Sequence, residues 1–207
     1  MIDFRQHLSS DDRAVAAAIE RLAKEDAAAV PIFDRDACDA LVAAGATMAF
    51  RRATPIVGAE TRRVEQDFDL SLDFKDGSPF FAARDTIEAA VKAGLALLPP
   101  TLLDRPPEFN DLILQYYYPT AVGISPHRDH VKYVGLVALL VLNGRGRFLV
   151  CDDRAGAGAR EIPSRPGDLI LMRAPGYGDF TDRPFHMLRD IEVPRYSFGL
   201  RHDISVA

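Results

Sequence analysis

Three residues of this chain have the side chains and the order of a small metal-binding set. His127 and Asp129 are two positions apart, so on a strand both side chains point to the same face. His186 comes from a distant segment and would be the third ligand. Two imidazoles and one carboxylate hold iron(II) while leaving coordination positions open for an organic ligand and dioxygen. The set therefore predicts a non-haem iron(II) centre.

A second group of residues lies in the segment Arg-Tyr-Ser-Phe-Gly-Leu-Arg, residues 195–201. On a strand, Arg195, Ser197 and Arg201 share one face. Two inward-pointing guanidinium groups cost folding free energy unless an anion meets them, and arginine binds carboxylate through a two-pronged hydrogen bond. The segment therefore predicts an anchor for a dicarboxylate that also chelates the metal. The alternative is that this polar face is exposed to solvent.

The His-x-Asp pair by itself has little specificity. The chain has 5 histidines and 30 acidic residues, so a match arises easily by chance. A polar loop histidine at 127 and a partly buried strand histidine at 186 are the alternatives for the two imidazoles. The arginine segment after His186 is what favours the metal centre over them.

Composition limits the class of protein. The 207 residues suit one domain, and 48% of them are hydrophobic, as in an ordinary globular protein. No apolar run reaches the roughly 18 residues of a membrane span, and the N-terminus has no secretory signal pattern. Cys38 and Cys151 fit no disulfide or metal spacing, so we expect a cytoplasmic protein. The net charge of −5 disfavours nucleic acid as a partner without excluding it.

The N-terminal half of the sequence predicts mainly helices. Capping residues and apolar spacing place helices at residues 13–26 and 34–45, and a third follows at 82–98. Between them, apolar residues on even positions predict one half-buried strand over residues 64–74. Arg105-Pro-Pro107 makes a stiff connection to the second half.

After Asn110 the sequence predicts strands separated by turn residues. Seven strands at this spacing favour a two-sheet sandwich or jelly roll with the helices beside it, an α+β fold. The predicted strands are residues 112–118, 125–130, 134–142, 147–152, 168–173, 185–193 and 195–202. We read the glycine-rich segment 155–159 as a loop, because it lacks the strand and helix that flank a phosphate loop.

These motifs resemble those of the 2-oxoglutarate- and iron(II)-dependent dioxygenases, and most closely their AlkB-like branch. The resemblance covers roughly residues 110–203, in family order. Its pieces are Gln-Tyr-Tyr-Tyr-Pro (115–119), His-Arg-Asp (127–129), Gly-Asp-Leu-Ile-Leu-Met (167–172), His186 and the arginine segment. The short gap from His186 to Arg195 is also similar to the prolyl-hydroxylase branch.

The resemblance implies a role for each matched residue. His127, Asp129 and His186 would bind iron(II), and Arg195 would hold the distal carboxylate of 2-oxoglutarate. Tyr117 would donate its hydroxyl to that carboxylate, with Tyr116 and Tyr118 as alternatives if the strand register differs by one residue. Ser197 and Arg201 would contribute to the co-substrate site, Arg201 near the metal-bound end of the co-substrate or beside the substrate.

The resemblance also implies the fold, the domain organisation and the activity. Residues 108–207 would form a double-stranded β-helix, the jelly-roll core that holds iron(II) and 2-oxoglutarate and uses O2. Residues 1–107 would pack on it as substrate-side elements of one compact domain. The expected reaction is hydroxylation or oxidative N-demethylation of a small molecule or a protein side chain. Rivals are an AlkB-type nucleic-acid demethylase, and a ligand-binding or cupin-type metal-binding sandwich without oxygenase activity.

Candidate rim elements for the substrate lie outside the matched motifs. They are Arg62, Arg63, the acidic stretch 65–73 and the segment 176–182, in which Tyr177 and Phe180 could form an aromatic wall over the iron. The alternative for each is an ordinary polar surface.

Overall fold

The computed structural model describes residues 2–206, which form two antiparallel sheets with helices on one side. The helices are α1 (Asp12–Glu25), α2 (Arg35–Gly45) and α3 (Pro79–Leu95), with short 3-10 turns at Phe4–His7 and Glu60–Arg62. The strands are β1 (Ala27–Pro31), β2 (Arg51–Arg52), β3 (Ile56–Val57), β4 (Val64–Asp67), β5 (Asp69–Ser71), β6 (Asp111–Tyr117), β7 (Gly123–His127), β8 (Tyr133–Val141), β9 (Arg145–Cys151), β10 (Arg160–Glu161), β11 (Asp168–Arg173), β12 (Phe185–Val193) and β13 (Arg195–Asp203).

The two sheets face each other and together make the jelly roll. The larger sheet has the strand order β1-β11-β8-β13-β6-β5-β2, and the smaller has the order β10-β9-β12-β7-β4-β3. The N-terminal segment supplies edge strands to both sheets, because β1 pairs with β11 and β4 pairs with β7. This architecture confirms the predicted double-stranded β-helix with flanking helices.

Alternating side chains of the large sheet build two cores. On β8, Leu136, Ala138 and Leu140 pack against the helices, whereas Val137 and Val141 face the small sheet. The two-residue period of a strand produces this division, and burial on both faces explains why β8 is apolar throughout. The helix layer therefore covers one face of the large sheet, and the opposite face is free to form the site.

The first two helices begin where their capping residues predict. Asp11 accepts a hydrogen bond from the Ala14 amide at 2.9 Å, and Asp34 accepts one from the Ala37 amide at 3.0 Å. The third helix was placed three residues too late: it begins at Pro79, whose missing amide proton is harmless in the first turn, and ends at Leu95. No helix in the described part of the chain is long and apolar enough to cross a membrane.

The single strand predicted over residues 64–74 is wrong. The even-numbered apolar pattern spans two short strands, β4 and β5, which lie in different sheets. The chain passes from one sheet to the other at Phe68, whose buried ring packs beside Tyr117 at 5.0 Å between centroids. The alternation of apolar residues is thus uninterrupted where the chain changes sheet, so the pattern shows no sign of the break between the two strands.

Strand β1 was not predicted from the sequence. Its residues are three alanines followed by valine and proline, and alanine is depleted in strands. The helix before it ends because Asp26 adopts a positive φ of 65°, a conformation usually taken by glycine. The alanine-rich composition concealed both the helix end and the strand.

Gly123 fixes the approach of β7 to β12, the two strands that carry the histidines. Its φ is 88°, and a Cβ at this position would lie 2.0 Å from the Leu188 carbonyl oxygen. Gly77 also has a positive φ, 76°, but a Cβ there would meet nothing within 4 Å. Substituting alanine at each of these two glycines therefore distinguishes the cost of the backbone conformation from the cost of a steric clash.

We expect Gly123→Ala to destabilise the protein more than Gly77→Ala. The left-handed conformation alone costs about 1–2 kcal/mol in either variant, and the clash adds roughly 1–3 kcal/mol at position 123. Equilibrium urea unfolding of both variants measures the difference. Equal losses would mean that β7 and β12 separate without cost, contrary to a tightly fixed pair of histidines.

Candidate metal and co-substrate site

Neighbouring strands of the small sheet bring the two histidines together. His127 on β7 lies directly opposite His186 on β12, and their ring centroids are 4.2 Å apart. Each of His127, Asp129 and His186 offers one ligand atom, and these three atoms lie within 4.8 Å of one another. A single metal ion can therefore contact all three side chains.

Asp129 reaches the site from a loop, and not from the strand that the sequence predicted. β7 ends at His127, so the two-residue alternation that placed both side chains on one face does not extend to Asp129. Arg183 donates a hydrogen bond to the backbone carbonyl oxygen of Asp129 and ties this loop to the segment before β12. The loop thus places the carboxylate beside the imidazoles without help from strand geometry.

Backbone carbonyl groups set the tautomer of both histidines. His127 Nδ1 lies 2.9 Å from the Ser125 oxygen, and His186 Nδ1 lies 3.3 Å from the Pro184 oxygen. A carbonyl only accepts, so Nδ1 carries the proton in each neutral ring and the lone pair is on Nε2. Metal-binding histidines in proteins are oriented in this way.

The protonation states at neutral pH suit a cation. Burial, with a smaller contribution from His186, lowers the pKa of His127 to about 3, and burial also lowers the pKa of His186. Burial opposes the ionised form of Asp129, but the charges around it, with that of Arg201 the largest, outweigh burial and lower its pKa. The site therefore presents two neutral nitrogen donors and one carboxylate, a set that fits iron(II).

A cavity extends from these ligands into the space between the sheets. Arg195 lines this cavity and is only 3% exposed. Its Nε donates to the Ser197 hydroxyl at 3.2 Å, and among residues 2–206 no carboxylate lies within ion-pair distance of its guanidinium. Burial lowers the pKa of Arg195 to about 10, so the group is charged at neutral pH. The charge of this buried guanidinium is not paired within the described chain, so it is available to bind the carboxylate of a ligand.

Tyr117 is the tyrosine that faces this cavity. It pairs with Arg195 across β6 and β13, and burial raises the pKa of its hydroxyl, so it is a neutral hydrogen-bond donor. Tyr116 and Tyr118 are on the other face, where Tyr116 packs against Tyr196 at 4.7 Å and the Tyr118 hydroxyl contacts Asp69. The strand register therefore leaves Tyr117 as the candidate contact for a ligand.

Arg201 lies at the metal end of the same cavity. Burial opposes its charge, but Asp129, Tyr133 and Asp111 outweigh this effect and raise its pKa. It contacts the Asp111 carboxylate at 3.4 Å, and its Nε has no hydrogen-bond partner. Arg201 thus differs from Arg195, because protein carboxylates already balance part of its charge.

Several residues of the cavity were not predicted. Gln115 lies two positions before Tyr117 on the same face of β6, so the strand period would have identified it. The apolar lining carries no comparable signal, because such residues also fill ordinary cores. It consists of Ile124, Leu139, Phe148, Met187 and Leu188.

The predicted aromatic wall over the iron is wrong. Tyr177 is 1% exposed, and its hydroxyl donates to the Ile19 carbonyl at 2.6 Å in the core beneath α1. Phe180 packs against the Arg173 guanidinium at 4.0 Å from the ring centre. Of the other rim candidates, Arg63 pairs with Glu65, whereas Arg62 lines an open cleft that reaches Asp129.

Comparisons with known proteins bear on the fold. No family model matches the sequence, and no curated protein sequence matches it significantly. The structure is similar to a prolyl hydroxylase from Trichoplax adhaerens in complex with a hypoxia inducible factor oxygen degradation domain peptide (TM-score 0.68, 10% identity, 94% of this chain and 90% of that one).

Two further solved structures match with similar coverage. One is HygX from Streptomyces hygroscopicus with nickel and 2-oxoglutarate bound (TM-score 0.62, 10% identity, 92% and 87%). The other is OsALKBH1 (TM-score 0.60, 12% identity, 86% and 99%). The matches include both a prolyl hydroxylase and an AlkB-type protein, so they do not select one branch. The chain therefore has the fold of the 2-oxoglutarate- and iron(II)-dependent oxygenases, as the sequence resemblance implied.

Proposed function

We propose that this chain is an iron(II)- and 2-oxoglutarate-dependent dioxygenase. It hydroxylates or oxidatively N-demethylates a substrate that we expect to be a small molecule or a protein side chain. The single observation that carries the proposal is the buried, unpaired Arg195 in the cavity that also contains the His127, Asp129 and His186 ligand set.

In this proposal the protein groups bind and orient the reactants. His127, Asp129 and His186 would hold iron(II), which when bound couples reduction of O2 to decarboxylation of 2-oxoglutarate, giving succinate, CO2 and oxidation of a substrate C–H bond. Arg195 would pair with the distal carboxylate of 2-oxoglutarate, which replaces the anion that the folded chain does not supply. Tyr117 would donate to the same carboxylate, and Ser197 keeps the guanidinium in place through its hydroxyl.

The apolar lining contributes by limiting water. Leu139, Phe148 and Leu188 surround the polar groups of the cavity, so charge interactions inside it are stronger than in bulk solvent. Arg201 balances the carboxylate of Asp129 and keeps it ionised at the metal end. The apolar lining thus strengthens the attraction between Arg195 and an anionic chelator, and the ionised Asp129 is available to bind a cation.

Succinate release by the purified protein tests this proposal. We expect succinate to form only when iron(II), 2-oxoglutarate and O2 are all present, and to increase with an accepted substrate. The panel should contain small organic acids, amino acids, peptides and methylated oligonucleotides, so that an AlkB-type demethylase is distinguished by its response to the last. Absence of both 2-oxoglutarate binding and succinate formation would favour a sandwich that binds another ligand.

A further inference from the structure

A second, open cleft meets the metal site at Asp129. It lies outside the buried cavity of Arg195, and Asp129 is the residue that the two share. Its volume is about 600 Å³, within the range of pockets that enclose small molecules and not that of an extended groove. The walls come from the β3–β4 hairpin, the loop after β7, the loop after β9 and the segment leading into β12.

Most charged side chains that line this cleft, which we call the arginine cleft, are positive. Four arginines line it, and Asp129, the candidate metal ligand, is the one carboxylate beside them; the four are Arg62, Arg128, Arg154 and Arg183. Within residues 2–206 none of them forms an ion pair with an aspartate or glutamate side chain, although the whole chain has a net charge of −5. Arg173, by contrast, pairs with both Asp26 and Asp182.

Two of the four arginines have structural contacts that fix the cleft. Arg154 donates to the carbonyl oxygens of Arg63 and Pro126 at 3.2 and 3.4 Å, and Arg183 donates to that of Asp129. Their charges are therefore held in place even without a ligand. They contribute to the positive potential of the cleft while the walls keep their shape.

The other two arginines are available to a ligand. Arg128 is exposed and stacks on the Phe185 ring, with its guanidinium carbon 4.2 Å from the centroid, and Arg154 lies 5.5 Å from the same centroid. Both guanidinium groups lie within 6 Å of one ring centre, so an anion in the cleft would reduce the repulsion between them. Arg62 is also exposed, and within residues 2–206 its guanidinium forms neither a hydrogen bond nor an ion pair.

We propose that the arginine cleft binds the oxyanion group of a small organic substrate, a phosphate monoester or a carboxylate. Binding there would place the rest of the substrate at Asp129 and so determine which C–H bond lies beside the metal. Clefts of one charge sign concentrate oppositely charged ligands, and guanidinium groups bind phosphate and carboxylate with the same fork geometry. This inference rests on the proposed oxygenase function for its purpose, but the binding itself is independent of catalysis.

Isothermal titration calorimetry of nickel-loaded protein with 2-oxoglutarate tests the proposal. The probes are phenyl phosphate, benzoate and neutral benzyl alcohol, three small aromatic compounds that differ in the anionic group. We expect phenyl phosphate, benzoate or both to bind, and benzyl alcohol not to bind. The anion that binds more tightly identifies the oxyanion class.

Two double variants with the same change in net charge locate the binding. In Arg62→Ala/Arg128→Ala the affinity for the bound anion should fall at least about tenfold, the effect of losing charged hydrogen bonds. In Arg5→Ala/Arg51→Ala, which removes two exposed arginines elsewhere, the affinity should stay within about twofold. Equal affinities in the two double variants would overturn the proposal, as would equal binding of the neutral probe.

The same titrations separate this proposal from the proposed function. The Arg62→Ala/Arg128→Ala protein should bind 2-oxoglutarate as the wild type does, whereas Arg195→Ala should lose 2-oxoglutarate and keep the anionic probe. A wild type that binds phenyl phosphate at the cleft but never 2-oxoglutarate would refute the oxygenase and leave the cleft assignment standing. Single-stranded oligonucleotide binding at least about a hundredfold tighter than phenyl phosphate would overturn the small-molecule assignment.

Discussion

Replacing His127 with alanine should abolish succinate formation and weaken metal binding at least about a hundredfold. The change removes one of three ligands, and loss even of a group that only supports a ligand weakens metal affinity about 10- to 100-fold. His127 also lies directly opposite His186. The methyl group of alanine has no lone pair, so it cannot replace Nε2 as a ligand. Anaerobic titration with iron(II), followed by exposure to air with 2-oxoglutarate, measures both effects.

His130 provides the matched control. It lies three residues further along the chain, in the loop after β7, and its Nδ1 accepts a hydrogen bond from the Lys132 amide at 3.2 Å. His130 is not part of the ligand set. The His130→Ala protein should bind iron(II) with an affinity within about twofold of the wild type. If both alanine variants bind iron(II) equally well, the assignment of His127 as a ligand is wrong.

The sequence predicted the β core more accurately than the details of its edges. Strand 168–173 is a continuous buried apolar run, and both it and strand 185–193 are bounded by turn residues, so their ends were visible in the sequence. The short strands β2, β3 and β10 have two residues each, too few to show any period. They exist because neighbouring strands offer hydrogen-bond partners, which is tertiary information.

Among the site residues, too, those whose position depends on local strand pattern were predicted better than those that depend on tertiary contacts. Arg195 was predicted to face inward because it shares one strand face with Ser197 and Arg201. Tyr117 was chosen from the resemblance, with Tyr116 and Tyr118 as alternatives, and the register of β6 decides between them.

Asp129 was grouped with the two histidines for an incomplete reason, since a loop and not a strand brings its carboxylate close to them. Tyr177 was placed wrongly because its neighbours in the sequence are loop residues, while its hydroxyl satisfies the Ile19 carbonyl inside the helix layer. Contacts between distant segments decided these cases.

The same substitution at two buried arginines should have opposite effects on stability. Arg195 and Arg173 are 3% and 7% exposed, and both lie on strands of the large sheet. Arg173 is paired with Asp26 at 2.7 Å and with Asp182 at 2.6 Å, whereas Arg195 has no carboxylate partner in the described chain. Arg173→Met removes the cation that pairs with both carboxylates, although Asp26 keeps its ion pair with Arg160 at 3.1 Å. The substitution should therefore cost about 2 kcal/mol, allowing also for the partial exposure of Asp182.

Arg195→Met should leave the protein without 2-oxoglutarate equally stable or more stable, because it removes a desolvated charge that nothing in the folded chain balances. The same variant should bind 2-oxoglutarate at least about a hundredfold more weakly, since two charged hydrogen bonds are lost together. Chemical unfolding with and without 2-oxoglutarate measures both quantities, and the ligand should stabilise the wild type but not the variant. A cupin-type protein that needs no co-substrate would show no such loss of ligand stabilisation. If Arg195→Met instead destabilises the ligand-free protein as much as Arg173→Met does, the guanidinium is a structural group and its role as the carboxylate anchor is refuted.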